Sequence, residues 1–180
     1  MEILDRLSDS TGSKHNYWQY LFAPDSVAVV GASNIPGSWG HGIMQRLLTS
    51  AKRKIYPVNL TVSEVLGINA YASVVDIPGS VDLAVIAVSA SRVPTIIREC
   101  VQKGVKASVI ISGGFAETGD QGSKLEADLV KVARQGGMRF IGPNSMGHAD
   151  TSSRLSTLAW TGEITPGPVA LISQSGNMGH

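Results

Sequence analysis

The chain has 180 residues, with 15 basic and 14 acidic side chains, a formal charge of +1 and 43% hydrophobic content. That balance excludes the clustered basic excess of a nucleic-acid binder, and Lys52-Arg53-Lys54, the only basic run, reads as solvated residues ahead of a strand. Cys100 is the single cysteine, which excludes an intrachain disulfide and a cysteine-built metal centre, and a cytoplasmic setting is expected.

The opening residues Met1 to Leu7 carry acids and no long apolar stretch, unlike a secretory leader. Residues 1 to 25 read as an N-terminal arm, with Tyr17, Trp18, Tyr20, Leu21 and Phe22 on a short helix against the main domain. Apolar runs then recur at Val27–Val30, Ile55–Val58, Leu83–Val88, Ser108–Ile111, Arg139–Ile141 and Val169–Ile172. The central runs are continuous rather than alternating, as in strands buried on both faces of a parallel sheet. Even Leu83–Val88 falls far short of the roughly 20 residues that span a bilayer, so no membrane partner is expected.

Helical patterns fill the gaps. Gly42 to Ala51 places Ile43, Leu47 and Leu48 on one face. Val93 to Lys103 carries Val93, Ile96, Ile97, Cys100 and Val101 as one stripe, stopped by Gly104, which makes Cys100 a buried, inert thiol. Ser123 to Gln135 groups Leu125, Leu129, Val132 and Ala133 ahead of Gly136-Gly137. This alternation predicts an α/β fold: a Rossmann-like, doubly wound, mostly parallel sheet over residues 26 to 150. Residues 151 to 180 read as a linker and the start of a second domain, with Val169–Ile172 as its first strand.

Two stretches carry chemistry. Val27 to Gly40 reads V-A-V-V-G-A-S-N-I-P-G-S-W-G, a buried strand breaking into a Gly-rich turn before a helix. Helix N-termini present unpaired N–H groups and partial positive charge, which suits phosphate. Ser173-Gln174-Ser175-Gly176 repeats that logic after the last apolar run, where a simple helix cap by Ser173 or Ser175 fits equally well. A dinucleotide site would show G-x-G-x-x-G and, about 20 residues on, an acid for the ribose. Here Ser33 stands at the second glycine, and Asn59 stands where the acid belongs. A different phosphate-bearing ligand than NAD is therefore expected, with a plain tight turn as the structural alternative.

The ordered set S-V-A-V-V-G-A-S-N-I-P-G-S-W-G, I-Y-P-V-N, L-G-I-N-A-Y, V-D-I-P-G, V-D-L-A-V-I, I-I-S-G-G-F, I-G-P-N-S-M-G and P-G-P-V-A-L-I-S-Q-S-G resembles the CoA-binding domain of NDP-forming acyl-CoA synthetases, relatives of the succinyl-CoA synthetase α subunit. The resemblance runs from residue 26 to 180. It implies CoA as the ligand and the reaction of acid, CoA and NTP to acyl-CoA, NDP and phosphate, through an acyl phosphate and a phosphohistidine.

By motif position it assigns Gly31, Ser33, Pro36, Gly37, Ser38, Trp39, Gly40 and Asn59 to the CoA pocket, with Ser89, Ala90, Ser112, Gly113, Gly114 and Asn144. Gly142, Pro143 and Asn144 belong to the loop leading toward the second domain. It assigns Ser173, Gln174, Ser175 and Gly176 to a loop facing the phosphohistidine, with that histidine and an ATP-grasp part in other domains, in cis or in a partner subunit. A homo-oligomer is compatible with it. The chain departs from the pattern at Asn59-Leu60-Thr61, where many members read Asn-Pro-Lys, at Ser145 in place of a cysteine, and at Gly113 where the succinate enzymes carry an acid.

The other reading is a regulatory nucleotide-sensing module, as in acetyltransferase fusions or redox-sensing repressors. Of the remaining candidates, His41 reads as an exposed helix histidine, with contact to CoA as the alternative, and no spacing among His15, His41, His148 and His180 suggests a metal site. Trp39 is open to either stacking on the ligand or packing on the sheet edge. Glu117 and Asp120 are expected to favour the next helix through its dipole.

Overall fold

A computed structural model describes residues 17–49, 53–160 and 164–176. In chain order, α1 (Tyr17–Phe22) leads into β1 (Ser26–Val30), α2 (Trp39–Leu48) and β2 (Lys54–Val58). A small hairpin follows, β3 (Glu64–Val65) and β4 (Ile68–Asn69), and then β5 (Leu83–Ile86). The order continues with α3 (Val93–Lys103), β6 (Ala107–Ile110), α4 (Asp120–Gln135), β7 (Arg139–Ile141) and a second hairpin, β8 (Ala149–Asp150) and β9 (Leu155–Ser156).

Five strands form one parallel sheet in the order β2-β1-β5-β6-β7. The expected doubly wound α/β architecture is present, in the order 2-1-3-4-5 for its five main strands. β1 is buried along its whole length because it is central and covered on both faces. Val27 and Val29 pack with Leu21 and with Ile43, Met44 and Leu47 of α2. Ala28 and Val30 pack on the other side with Ile96 and Ile97 of α3 and Leu129 and Ala133 of α4. Alternate residues of one continuous apolar run thus serve two cores, which is why the run shows no polar alternation.

The direction of winding reverses between β1 and β5. From β1 the chain passes through α2 to β2 at one edge, whereas from β5 it passes through α3 toward β6 and the other edge. Right-handed crossovers then put α2 on one face and α3 and α4 on the other. The loops leaving β1 and β5 part company, and they leave a crevice at the carboxyl ends of the strands.

Elements at the two ends of the domain are sewn to it by polar bonds. His148 Nε2 meets the Leu21 carbonyl at 2.7 Å, and its ring packs edge-on against Phe22. Arg53 donates to the carbonyls of Pro24, Ser153 and Arg154, so this member of the basic run is a staple rather than a solvated residue. Leu155 and Ala159 enter the core on the α2 face, so the segment after residue 150 is packed there rather than loose. By contrast, Val169, Leu171 and Ile172 are 89%, 75% and 96% exposed, and the strand expected over 169–172 does not form. A parallel strand needs a neighbour to complete its hydrogen bonds, and none of the described residues supplies one.

Burial pushes the His148 imidazole below its ordinary pKa, against the smaller opposing pulls of the Leu21 carbonyl and Asp150. The folded pKa lies below the unfolded value of about 6.5. Stability is therefore full above that pH and is lost as pH falls from there through the folded pKa. Urea unfolding from pH 7.5 to 5 should show this slope in the natural chain and a shallower one in His148→Gln. Identical slopes would mean that the imidazole is not held neutral.

Candidate ligand crevice at the carboxyl edge of the sheet

The first loop turns sharply at Gly31, where φ is +90° and the amide bonds the Val58 carbonyl at 3.0 Å. A Cβ at Gly31 would lie 2.9 Å from the Ala87 carbonyl carbon and closer still to its oxygen, so only glycine lets β1's exit lie against β5's. Gly40 has the companion role. A Cβ there would lie 2.8 Å from the Gly31 carbonyl carbon and nearer to its oxygen, so α2 packs directly on the turn that precedes it. Gly37 differs: φ is +80°, but the space a Cβ would take is open.

Between these glycines the loop is fixed by side chains. Ser38 caps α2 by accepting from the His41 amide at 3.3 Å, and its hydroxyl donates to the Ile35 carbonyl at 2.8 Å. The Ser33 hydroxyl accepts from the Ile35 amide at 3.0 Å. α2 thus begins at Trp39, three residues before the periodicity suggests, and Trp39 and Gly40 lie in its first turn. Trp39 packs against Trp160, ring centroids 4.1 Å apart.

His41 is buried, which corrects the expectation of an exposed helix histidine. Its Nδ1 lies 3.2 Å from the Ser33 carbonyl. A carbonyl can only accept, so Nδ1 carries the proton, and the ring tethers the loop at the helix. Sequence reasoning missed this role, because one histidine in a Gly-rich first turn has no periodicity to mark it as interior.

Two asparagines complete the frame. Asn34 donates to the Glu64 carbonyl at 2.8 Å and accepts from the Leu66 amide at 2.9 Å, holding the β3–β4 hairpin to the loop. Asn59 donates to the Ala32 carbonyl at 2.8 Å and accepts from the Thr61 and Val62 amides. Asn59 therefore stands at the crevice with both ends of its amide engaged.

The exits of β5, β6 and β7 converge beside the first loop. Ser112 clasps Val88, donating to its carbonyl at 2.6 Å and accepting from its amide at 3.3 Å. A Cβ at Gly114 would lie 2.9 Å from the Ala90 Cβ, and one at Gly113 would lie 3.0 Å from Asn144 Oδ1. The Asn144 amide donates to the Ser112 carbonyl at 2.8 Å. Ser89 is exposed on the rim.

Glu117 departs from expectation. Its carboxylate accepts from the Gly114 amide at 2.5 Å and serves the short turn Ala116–Thr118, so it does not act on α4 from within that helix. That bond and its neighbours hold the carboxyl below its ordinary pKa. Asp120 does open α4.

The Ser173–Gly176 turn reaches the same edge: a Cβ at Gly176 would run into Met146, two residues beyond Asn144. Within the turn the Ser173 hydroxyl donates to the Ser175 carbonyl at 2.8 Å, while Gln174 and Ser175 are exposed. Pro36 and Gly37 are also exposed. His15 and His180 lie outside the described residues. Among the described residues no cluster of His, Cys, Asp or Glu could hold a metal ion, and no helix is long and apolar enough to cross a membrane. Cys100 is buried and free, its thiol pushed up to about 12 by burial first and Glu99 second, which removes it from nucleophilic chemistry.

The profile of the CoA binding domain family matches residues 25–150, the sheet and every loop of the crevice except the Ser173–Gly176 turn. The chain belongs to that family. This CoA-binding domain is 48% identical over 164 residues to the acetate–CoA ligase (ADP-forming) I subunit alpha of Pyrococcus furiosus, covering 88% of this chain and 36% of that one. A crystal structure of a Pyrococcus horikoshii protein superposes with a TM-score of 0.87 at 45% identity, covering 89% of this chain and 37% of that one. The dinucleotide-forming acetyl-coenzyme A synthetase 1 of Candidatus Korarchaeum cryptofilum, solved with phosphate and ADP, superposes at 0.85 with 41% identity, covering 89% and 34%. The chain spans about a third of the length of these relatives. The likeness favours the acyl-CoA synthetase resemblance over the regulatory module.

Proposed function

We propose that this domain serves an NDP-forming acid–CoA ligase by holding CoA along the carboxyl edge of the sheet, so that the thiol meets an acyl phosphate. The observation that carries this is the convergence of the exits of β1, β5, β6 and β7 on one crevice at the winding reversal, where Gly31 and Gly40 are closed to any side chain. In this reading the loop over residues 31–40 faces CoA phosphate through the Ser33 hydroxyl and the amides of α2's first turn, with Asn59 bracing the loop. Ser89 and Ala90, Ser112 to Gly114, and Asn144 form the opposite wall. The Ser173–Gly176 turn serves a phosphoryl group carried by a histidine in a further domain. Nucleotide cleavage belongs to an ATP-grasp part in cis or in a partner subunit.

His41 and His148 are both bound into the fold through a ring nitrogen, which supports a carrier located elsewhere. The 180-residue polypeptide, incubated with acid, CoA and ATP labelled at the γ-phosphate, should acquire no acid-labile label and form no acyl-CoA. Labelled phosphohistidine on this polypeptide alone would place the chemistry within it and contradict the division of labour.

A further inference from the structure

The crevice loops are nearly devoid of cations. Across residues 31–38, 59–63, 87–92, 111–119 and 142–148, Arg92 is the single lysine or arginine. Other basic residues sit at the far edge of the sheet: Lys54 opens β2, Lys106 precedes β6 and Arg139 opens β7.

Arg92 closes the short turn Ala90–Arg92 that leaves β5, and its own amide bonds the Ser89 carbonyl at 2.9 Å. The neighbouring Ala90 lies against Gly114, so this turn is part of the crevice wall. Arg92 is exposed, and among the described residues its guanidinium has no carboxylate or hydrogen-bond partner. The first turn of α3 holds no acid to neutralise it, and the helix dipole opposes a cation at that end. An exposed guanidinium that the fold does not engage is free to meet an anionic ligand. CoA offers a ribose 3′-phosphate and a diphosphate, and guanidinium binds either through paired N–H donors.

We propose that Arg92 pairs with a phosphate group of CoA and is the principal cation of the site. This rests on the CoA reading above, and the test separates the two. Calorimetric titrations of CoA and of dephospho-CoA are run on the natural chain, Arg92→Gln and Arg92→Lys, with circular dichroism to confirm the fold.

Arg92→Gln should weaken CoA binding roughly tenfold or more and flatten its salt dependence, while Arg92→Lys restores part of the affinity. If Arg92→Gln leaves dephospho-CoA untouched, the partner is the 3′-phosphate; if both ligands weaken alike, it is the diphosphate. CoA affinity within twofold of the natural chain in folded Arg92→Gln overturns the proposal and leaves the CoA reading standing. Absence of CoA binding by the natural chain removes that reading and this proposal with it.

Discussion

Gly40→Ala should destabilise the domain by about 3 kcal/mol or more, a large share of the roughly 5–15 kcal/mol that holds a domain of this size. The sign makes the result informative. In an ordinary helix interior the same change stabilises by about 1 kcal/mol, since alanine is the better helix former. Here the added methyl meets the Gly31 carbonyl group, which is backbone and cannot rotate away. Relief requires α2 to move off the turn, and Ile43, Met44 and Leu47 would leave their places in the core with it. Urea unfolding measures the loss. A variant as stable as the natural chain would show that α2 does not rest on the first turn.

Gly37→Val should do the opposite: preserve the fold and abolish CoA binding. No atom lies within 4 Å of the position a Cβ would take, so nothing in the domain is displaced. The cost is the left-handed backbone at φ +80°, about 1–2 kcal/mol for an L residue and worse for a branched one. The loop will shift to relieve it, and an isopropyl group will stand where the ligand approaches the amides. CoA affinity should fall at least tenfold while the domain stays folded and loses about 2 kcal/mol of unfolding free energy, less than Gly40→Ala costs. Unchanged affinity in a folded variant would reduce the loop to a turn.

Much of this architecture is legible in the sequence, for a physical reason. Val27–Val30 and Leu83–Ile86 serve two cores at once, and a strand buried on both faces must be written as an unbroken apolar run. α3 matches its expected span, Val93 to Lys103, because its stripe is clean and Gly104 ends it in the left-handed conformation. The start of α2 is less legible, since Gly40 and Gly42 are poor helix formers and their reason for being there is tertiary.

The staples are the least legible. Asn34 reaches the Glu64 carbonyl 30 residues away, and Arg53 reaches that of Ser153 across 100. Isolated polar side chains carry no period, so nothing in the sequence distinguishes them from solvated ones. Val169–Ile172 shows the converse: a strand-like run whose partners are not among the described residues. For the site, the glycines announced themselves, whereas the tether at His41 and the clasp at Ser112 depend on contacts between loops.

The most direct measurement is a pair of calorimetric titrations of the 180-residue chain, with CoA and with NAD. An NAD site needs a carboxylate at the end of β2 for the ribose hydroxyls. Asn59 stands there instead, its amide spent on the Ala32 carbonyl and on the Thr61 and Val62 amides. CoA should therefore bind at least tenfold more tightly than NAD, a difference of about 1.4 kcal/mol. NAD binding tenfold tighter than CoA would contradict the assignment of the crevice.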